Sequence, residues 1–357
     1  MITLSRRILF WLASAVSFVV AVVLLFSALD HIGISNPHDW WYGIDFVPAI
    51  WIAVPGFLLG VVWLLFRKWR LAWVWLTAVL VFFLSFGDVS GGPVVRQFSQ
   101  TEKAVRSVSV AALNVEYYAE GIREVMKGIR EMNCDVVLLS ENNLDSTNAS
   151  IIAEMMPDYT LRSGHKNSTA VLSSLPIAEY REVQLHSYEA SLSGGNDIAQ
   201  QSQHPHRSFV HVVAQLEGKD INLIAIRLIA GRPKNHSLEE NLRWGRYLLD
   251  AQQAEARAFA EYVKNLSGPI IFGGDLNAPP RSRTMRVFDA IGQDAYLSDH
   301  FWGDLTFRTS FPTLRLDYLF GMNGAIPFRS RVVPLIVSDH FPVMAEFSLP
   351  GSDVVQH

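Results

Sequence analysis

The sequence is short of charge and has almost no sulfur chemistry. One cysteine, Cys134, among 357 residues excludes an intramolecular disulfide framework and a cysteine-built zinc cluster. Only 18% of the chain is charged against 50% hydrophobic, which excludes disorder and is too apolar for an ordinary soluble protein. Internal repeats and low-complexity segments are absent, and the length leaves room for one or two domains. Basic residues are also scarce beyond residue 90, where 25 Lys and Arg face 30 Asp and Glu. A net of −5 makes this part a poor bulk binder of nucleic acid, although a local basic patch can coexist with it.

The apolar residues are concentrated at the start. Residues 8–29 form an uncharged run of 22 residues, residues 46–66 form a second, and residues 71–86 a third of 16 that reaches spanning length if residues 87–89 extend it. At 1.5 Å per residue the first two are long enough for a bilayer. The first run is too long for the core of a cleavable signal peptide and lacks a clean small-residue cleavage site. Arg6 and Arg7 precede the first run, while Arg67, Lys68 and Arg70 separate the second from the third. The loop between the first two holds Asp30, Asp39 and Asp45 with no Lys or Arg. The positive-inside rule then predicts an integral protein of a bacterial-type inner or plasma membrane, touching the bilayer through residues 8–89. Three spans near 8–29, 46–66 and 71–89 deliver everything after residue 90 to the outer, periplasmic side. If the third does not cross, that part stays cytoplasmic.

After a linker at 91–104, the pattern from residue 105 to 350 changes to short strands with helices and hairpins between them, leaving a tail at 351–357. Val108 to Leu113 and Val136 to Leu139 read as strands, and Ile122, Val125, Met126, Ile129 and Met132 recur at helical spacing. Further strands are expected at Ala170 to Ser173, Phe209 to Leu216, Ile221 to Ile229, Ile270 to Phe272, around Asp317 and at Val343 to Phe347. A long helix opens on a capping box at Ser237 to Glu240. This alternation predicts an α/β (α+β) domain of two packed sheets with helices outside.

Asn114, Glu141, Asp275, Asn277 and Asp339 each close an apolar strand, where a sheet can hold side chains rigidly toward one rim. Singly each is an ordinary turn residue. Together with His340, they form the oxygen-rich set that a hard divalent cation and a phosphate reaction need. His204, His206 and His211 suggest a metal cluster by number, but they enter a strand at mixed parity, which argues against one. Arg281, Arg283 and Arg286 follow closely enough to face a substrate, or simply form a solvated basic helix start.

The ordered series Leu113-Asn114, Asp135 to Glu141, Ala170 to Ser173, Gly274 to Pro279, Leu316 to Phe320 and Ser338 to Val343 resembles the endonuclease/exonuclease/phosphatase superfamily over about residues 105 to 350. The resemblance implies a four-layer α/β sandwich and a Mg²⁺-dependent phosphoesterase, with Mn²⁺ as a substitute ion. It implies metal binding by Glu141 and Asn114, with Asp339 helping. Asp275 would orient or deprotonate the attacking water, Asn277 would hold a phosphate oxygen, and His340 would contact the phosphate with Asp317 fixing its tautomer. Two departures stand out. Arg227 occupies a place where many members have a His or Tyr, and would contact phosphate itself or pair with an acidic neighbour. Ser140 stands where a Gln often precedes the metal glutamate. The expected substrate is a small or lipid-borne phosphate ester, with nucleic acid as the competitor and a catalytically silent binding module as a third reading. No protein partner is implied.

Overall fold

The computed structural model describes residues 14–15, 17–18, 21–22, 49–65, 68–86, 90, 93, 106–164, 169–185, 207–230 and 238–350. The chain divides into two compact units. One comprises Met1–Asp88, His236–Arg246 and Pro280–Arg283, and the other Val89–Asn235, Tyr247–Pro279 and Thr284–His357. The expected span at 8–29, the linker at 91–104, the tail at 351–357, the pair His204 and His206, and the capping residue Ser237 lie wholly or largely outside the described residues.

In the first unit, helices α1 (Ala49–Leu65) and α2 (Trp69–Phe86) pack on one another. The packing is close because glycine allows it. A Cβ at Gly56 would sit 2.5 Å from Val79 Cγ2, and one at Gly60 3.0 Å from Leu76 Cδ2. Trp63, Ala72 and Trp75 are buried, whereas Phe57, Leu58, Leu65, Trp69, Trp73 and Leu80 are each more than half exposed. Three membrane spans are not supported. Among the described residues no helix is long and apolar enough to cross a membrane. Within the described residues, helices of 17 and 18 residues rise about 26 Å, less than the roughly 30 Å of a hydrocarbon core.

The second unit alternates strands and helices in the expected manner. Its first half runs β1 (Ser107–Asn114), α3 (Ile122–Met132), β2 (Val136–Ser140), α4 (Ser146–Met155), β3 (Thr160–Ser163), β4 (Thr169–Ser173), β5 (Ile177–Leu185), β6 (Arg207–Leu216) and β7 (Lys219–Ala225). There follow α5 (Leu238–Lys264), which belongs to this unit from Tyr247, β8 (Ile270–Asp275), α6 (Arg283–Asp289), which belongs to it from Thr284, β9 (Gln293–Asp294), α7 (Ala295–Asp299), β10 (Asp317–Met322), β11 (Ile326–Val332) and β12 (Val343–Ser348). Two six-stranded sheets result, ordered β11-β12-β1-β2-β4-β3 and β5-β6-β7-β8-β10-β9.

Side-chain alternation builds the layers. Val108, Val110 and Ala112 of β1 join Val210, Val212 and Ile271 of the other sheet in an apolar core between the two. The opposite face of β1, Ala111 and Leu113, packs with Val125, Met126 and Ile129 of α3. Ile270 and Phe272 of β8 pack with Phe259 and Val263 of α5 and Phe288 of α6. The order is therefore helices, sheet, sheet, helices.

Register brings the functional positions together. Parallel pairing sets Asn114 beside Ser140, so the next residue, Glu141, emerges at the same rim. Antiparallel pairing sets the first residue of β10, Asp317, opposite the last of β8, Asp275. Val343 pairs with Ala112, which places Asp339 and His340, just ahead of β12, at that rim too.

Candidate active site

Asp275 lies at the centre of the site and is almost wholly buried. Its Oδ2 accepts Asn114 Nδ2 at 2.9 Å and Asn277 Nδ2 at 3.1 Å, its Oδ1 accepts the Asn277 backbone N–H at 2.9 Å, and Arg227 Nε stands 4.0 Å away. Its own N–H donates to Ser140 Oγ at 3.1 Å. Asn114 and Ser140 belong to one sheet and Asp275 to the other, so these bonds cross between sheets. Burial raises the Asp275 pKa, the Asp317 charge adds to that, and His340 and Arg227 oppose it. A carboxyl raised in this way is tuned toward accepting a proton.

His340 Nδ1 lies 2.7 Å from Asp317 Oδ2, and its Nε2 is 3.7 Å from Asp339 Oδ1. Burial alone would lower its pKa. The carboxylates of Asp317, Asp275 and Asp339 outweigh burial and hold it up at about 10. At neutral pH the ring is therefore an imidazolium, with Nδ1–H donated to Asp317 and Nε2–H left for another acceptor. The Phe307 ring backs it at a centroid distance of 4.8 Å.

The residues expected to hold a metal are assembled, but with bonds the sequence did not suggest. Arg227 Nη2 pairs with Glu141 Oε1. Arg227 thus takes the acidic-neighbour alternative, and Glu141, expected as the most direct metal ligand, carries an ion-pair partner. Asn114 Oδ1 accepts the Glu116 backbone N–H at 2.9 Å. Asn277, expected to hold a phosphate oxygen, directs its amide to Asp275 and to Leu228 O, the latter at 3.1 Å. Asp339 N–H donates to Glu116 Oε2 at 3.2 Å.

Glu116 is the site residue that sequence reasoning missed. Burial raises its pKa, and the charges of Asp339 and Glu141 raise it further. Two carboxylates therefore press on a third along one edge of the site. The signal was its position two residues beyond Asn114. Local backbone strain points to the same place: Glu116, Tyr117, Tyr118, Glu141 and Asn277 all have positive φ, between 45° and 63°. Non-glycine residues held this way cluster where the surrounding structure enforces them.

Two sets of groups could accommodate a cation. Asp275, Asp317 and His340 each offer a ligand atom within 4.8 Å of the others, and Asp317 Oδ1 is buried with no hydrogen-bond partner among the described residues. A metal-binding imidazole must be neutral, which the carboxylates around His340 oppose. The edge formed by Glu116, Glu141, Asp339 and Asn114 consists of hard oxygen donors, with the Glu116 charge pressed by those of Asp339 and Glu141, and this chemistry fits a divalent cation better.

His211 is buried in β6, with its ring nitrogens at 2.8 Å from Tyr262 Oη and 3.0 Å from Asn222 Oδ1. It is a satisfied core histidine. Arg286 is exposed on α6, and Arg281 and Arg283 fall in the first unit.

Comparison with known proteins agrees with the architecture. The family model for the endonuclease/exonuclease/phosphatase family matches residues 111–340. A family protein from Bacteroides thetaiotaomicron has a similar structure, with a TM-score of 0.53, 17% identity and coverage of 71% of this chain and 98% of that one. One from Beutenbergia cavernae has a TM-score of 0.51 at 19% identity, covering 69% of this chain and 72% of that one. TDP2 of D. rerio, solved in complex with a single-strand DNA product, has a TM-score of 0.50 at 15% identity, covering 68% and 98%. Curated proteins yielded no match.

Proposed function

The chain belongs to the endonuclease/exonuclease/phosphatase family, and on that footing we propose that it is a divalent-metal-dependent hydrolase of phosphate esters. The observation that carries this reading is the buried Asp275 carboxyl beside the His340–Asp317 pair, 2.7 Å apart, at a rim shared by both sheets. In this reading Glu141, Asn114, Asp339 and Glu116 would hold Mg²⁺ or Mn²⁺, which would neutralise phosphate charge and help stabilise the leaving oxygen. Asp275 accepts the proton of the attacking water and aims it, with Asn114 and Asn277 fixing its carboxylate. His340 donates Nε2–H to a phosphate oxygen as negative charge develops there, and Asp317 holds its ring. Arg227, once Glu141 is shared with a cation, supplies a guanidinium fork to the same phosphate.

A small or lipid-borne ester suits the net acidic charge beyond residue 90. A second reading, hydrolysis of nucleic acid, is favoured by exposed Trp302, Phe311 and Arg308 on the loop whose Thr309 N–H donates to Asp339 O at 3.0 Å. Aromatic faces beside a cation suit unstacked bases, and the TDP2 complex holds single-strand DNA. The test is the full chain assayed on bis-p-nitrophenyl phosphate, p-nitrophenyl phosphate, a phospholipid headgroup diester and single-stranded and plasmid DNA, with Mg²⁺, Mn²⁺ or chelator. Metal-dependent cleavage of the small or lipid esters is expected. Cleavage of DNA alone overturns the substrate preference. No hydrolysis at all, or an Asp275→Ala protein as active as the parent, restores the silent binding module.

Lipid association through the first unit, with the second unit on the outer side, is part of the same proposal. It is supported by the apolar side chains that α1 and α2 leave exposed and by exposed Lys68 and Arg70 beside Trp69, a pattern suited to an anionic interface. A reporter fused at the C-terminus is expected to read as periplasmic, and a cytoplasmic reading reverses the placement.

A further inference from the structure

Three buried polar side chains of the second unit have no part in the chemistry above. They are Arg207 at the start of β6 and, three residues apart on α5, Gln252 and Glu255. Gln252 Nε2 donates to Ile229 O at 2.9 Å and to Asn277 O at 2.8 Å. Glu255 Oε2 accepts the Ile229 N–H at 2.9 Å, and its Oε1 faces Arg207 Nε at 2.6 Å. Arg207 Nη2 in turn donates to Arg227 O at 2.7 Å. One turn of α5 thus grips two segments that are distant in sequence, one following Arg227 and the other containing Asn277.

The segments are also tied directly, Asn277 Nδ2 to Leu228 O at 3.1 Å and Leu228 N–H to Asp275 O at 3.2 Å. A buried ion pair contributes little stability compared with apolar residues of the same volume. Its bonds here run to the backbone of the segment that carries Arg227, at Arg227 O and the Ile229 N–H, while Gln252 ties that segment to Asn277 O, which gives the pair a positional role that packing alone would not require.

We propose that Gln252, backed by the Arg207–Glu255 pair, is a positioning bracket that holds the Arg227 and Asn277 segments at a fixed separation, so that the Arg227 guanidinium meets a phosphate in register with the Asp275 carboxylate that Asn277 fixes. This rests on the reading of Arg227 as a phosphate-facing group and of Asn277 as a group that fixes Asp275. Removing the bracket frees two backbone carbonyls and lets the segments move independently, while Asp275 keeps its bonds with Asn114 and Ser140 and His340 keeps its bond with Asp317. Phosphate binding therefore suffers more than turnover.

The test uses the full chain with Gln252→Met, which keeps length but donates nothing, and Gln252→Glu as a second variant. On bis-p-nitrophenyl phosphate, KM and the inhibition constant of orthophosphate are expected to rise about tenfold, the loss of one well-placed hydrogen bond, with a smaller fall in kcat. Combined with Asn277→Ala, the substitution is expected to add nothing beyond Asn277→Ala alone. Hydrogen exchange is expected to quicken in residues 226–230 and 276–279 together. Multiplicative kinetic effects, parental kinetics, or quickened exchange in one segment only overturn the bracket. A parent inactive on every ester overturns the functional reading instead, and the exchange result still decides the bracket.

Discussion

At the residue scale, the pKa directions give opposite predictions for two neighbouring groups. His340, held at about 10 against an ordinary 6.5, contributes stability that is fully present below about pH 6.5 and lost as pH rises through about 10. Asp317→Asn removes the main opposing charge, so the alkaline fall in kcat/KM is expected at lower pH, as a pH–rate profile would show. The Asp275 carboxyl, raised by burial, opposes folding once ionised. Asp275→Asn is therefore expected to leave the melting temperature unchanged or higher while kcat falls by about 10² to 10⁴, the usual worth of a positioned proton acceptor. A loss of both activity and stability in that variant would mean that the carboxylate is chiefly a structural anchor. Asn114, Glu141, Asp275 and Asn277 stood out in the sequence because a polar residue closing an apolar strand is conspicuous, and Asp339 and His340 because they follow an apolar run as a pair, whereas Asp317 came only with the family resemblance. Glu116 was not, since it sits past the strand end in a strained turn. Nothing in the sequence sets Arg207 and Glu255 apart from surface charges, because sequence carries no mark of mutual burial.

At the element scale, β8 shows how backbone needs constrain chemistry. A Cβ on Gly273 would lie 2.2 Å from Tyr318 O, and one on Gly274, whose φ is +139°, 2.2 Å from Ile226 O. Only glycine lets neighbouring backbone come so close to the strand that delivers Asp275. Gly274→Ala is expected to cost at least about 2 kcal/mol in denaturant unfolding through strain and displacement and to lower activity with it. Strands β1, β2, β4, β6, β7, β8 and β12 were legible as apolar runs. The edge strand β5 was not, because most of its side chains are exposed and polar, and β3 has only four residues. Helix α4 was missed as well, although Asp145 caps it by accepting the Asn148 N–H at 2.7 Å.

At the scale of the whole molecule, the carboxylate edge predicts linkage between cation and fold. Because the charges of Asp339 and Glu141 both press on Glu116, Mg²⁺ is expected to raise the melting temperature and chelator to lower it, the shift growing with the logarithm of ion concentration. A melting temperature indifferent to Mg²⁺ would count against that edge as the ion's place. The bonds from Asn114 and Ser140 to Asp275 have a wider consequence. The reaction centre straddles a seam: half of its alignment is supplied from across the sandwich, so it behaves like a vernier for sliding of one layer over the other. Misplacement by about 1 Å can cost a hundredfold in rate. A vacancy opened far below, as by Val212→Ala in the inter-sheet core, should accordingly dull turnover well before it threatens folding.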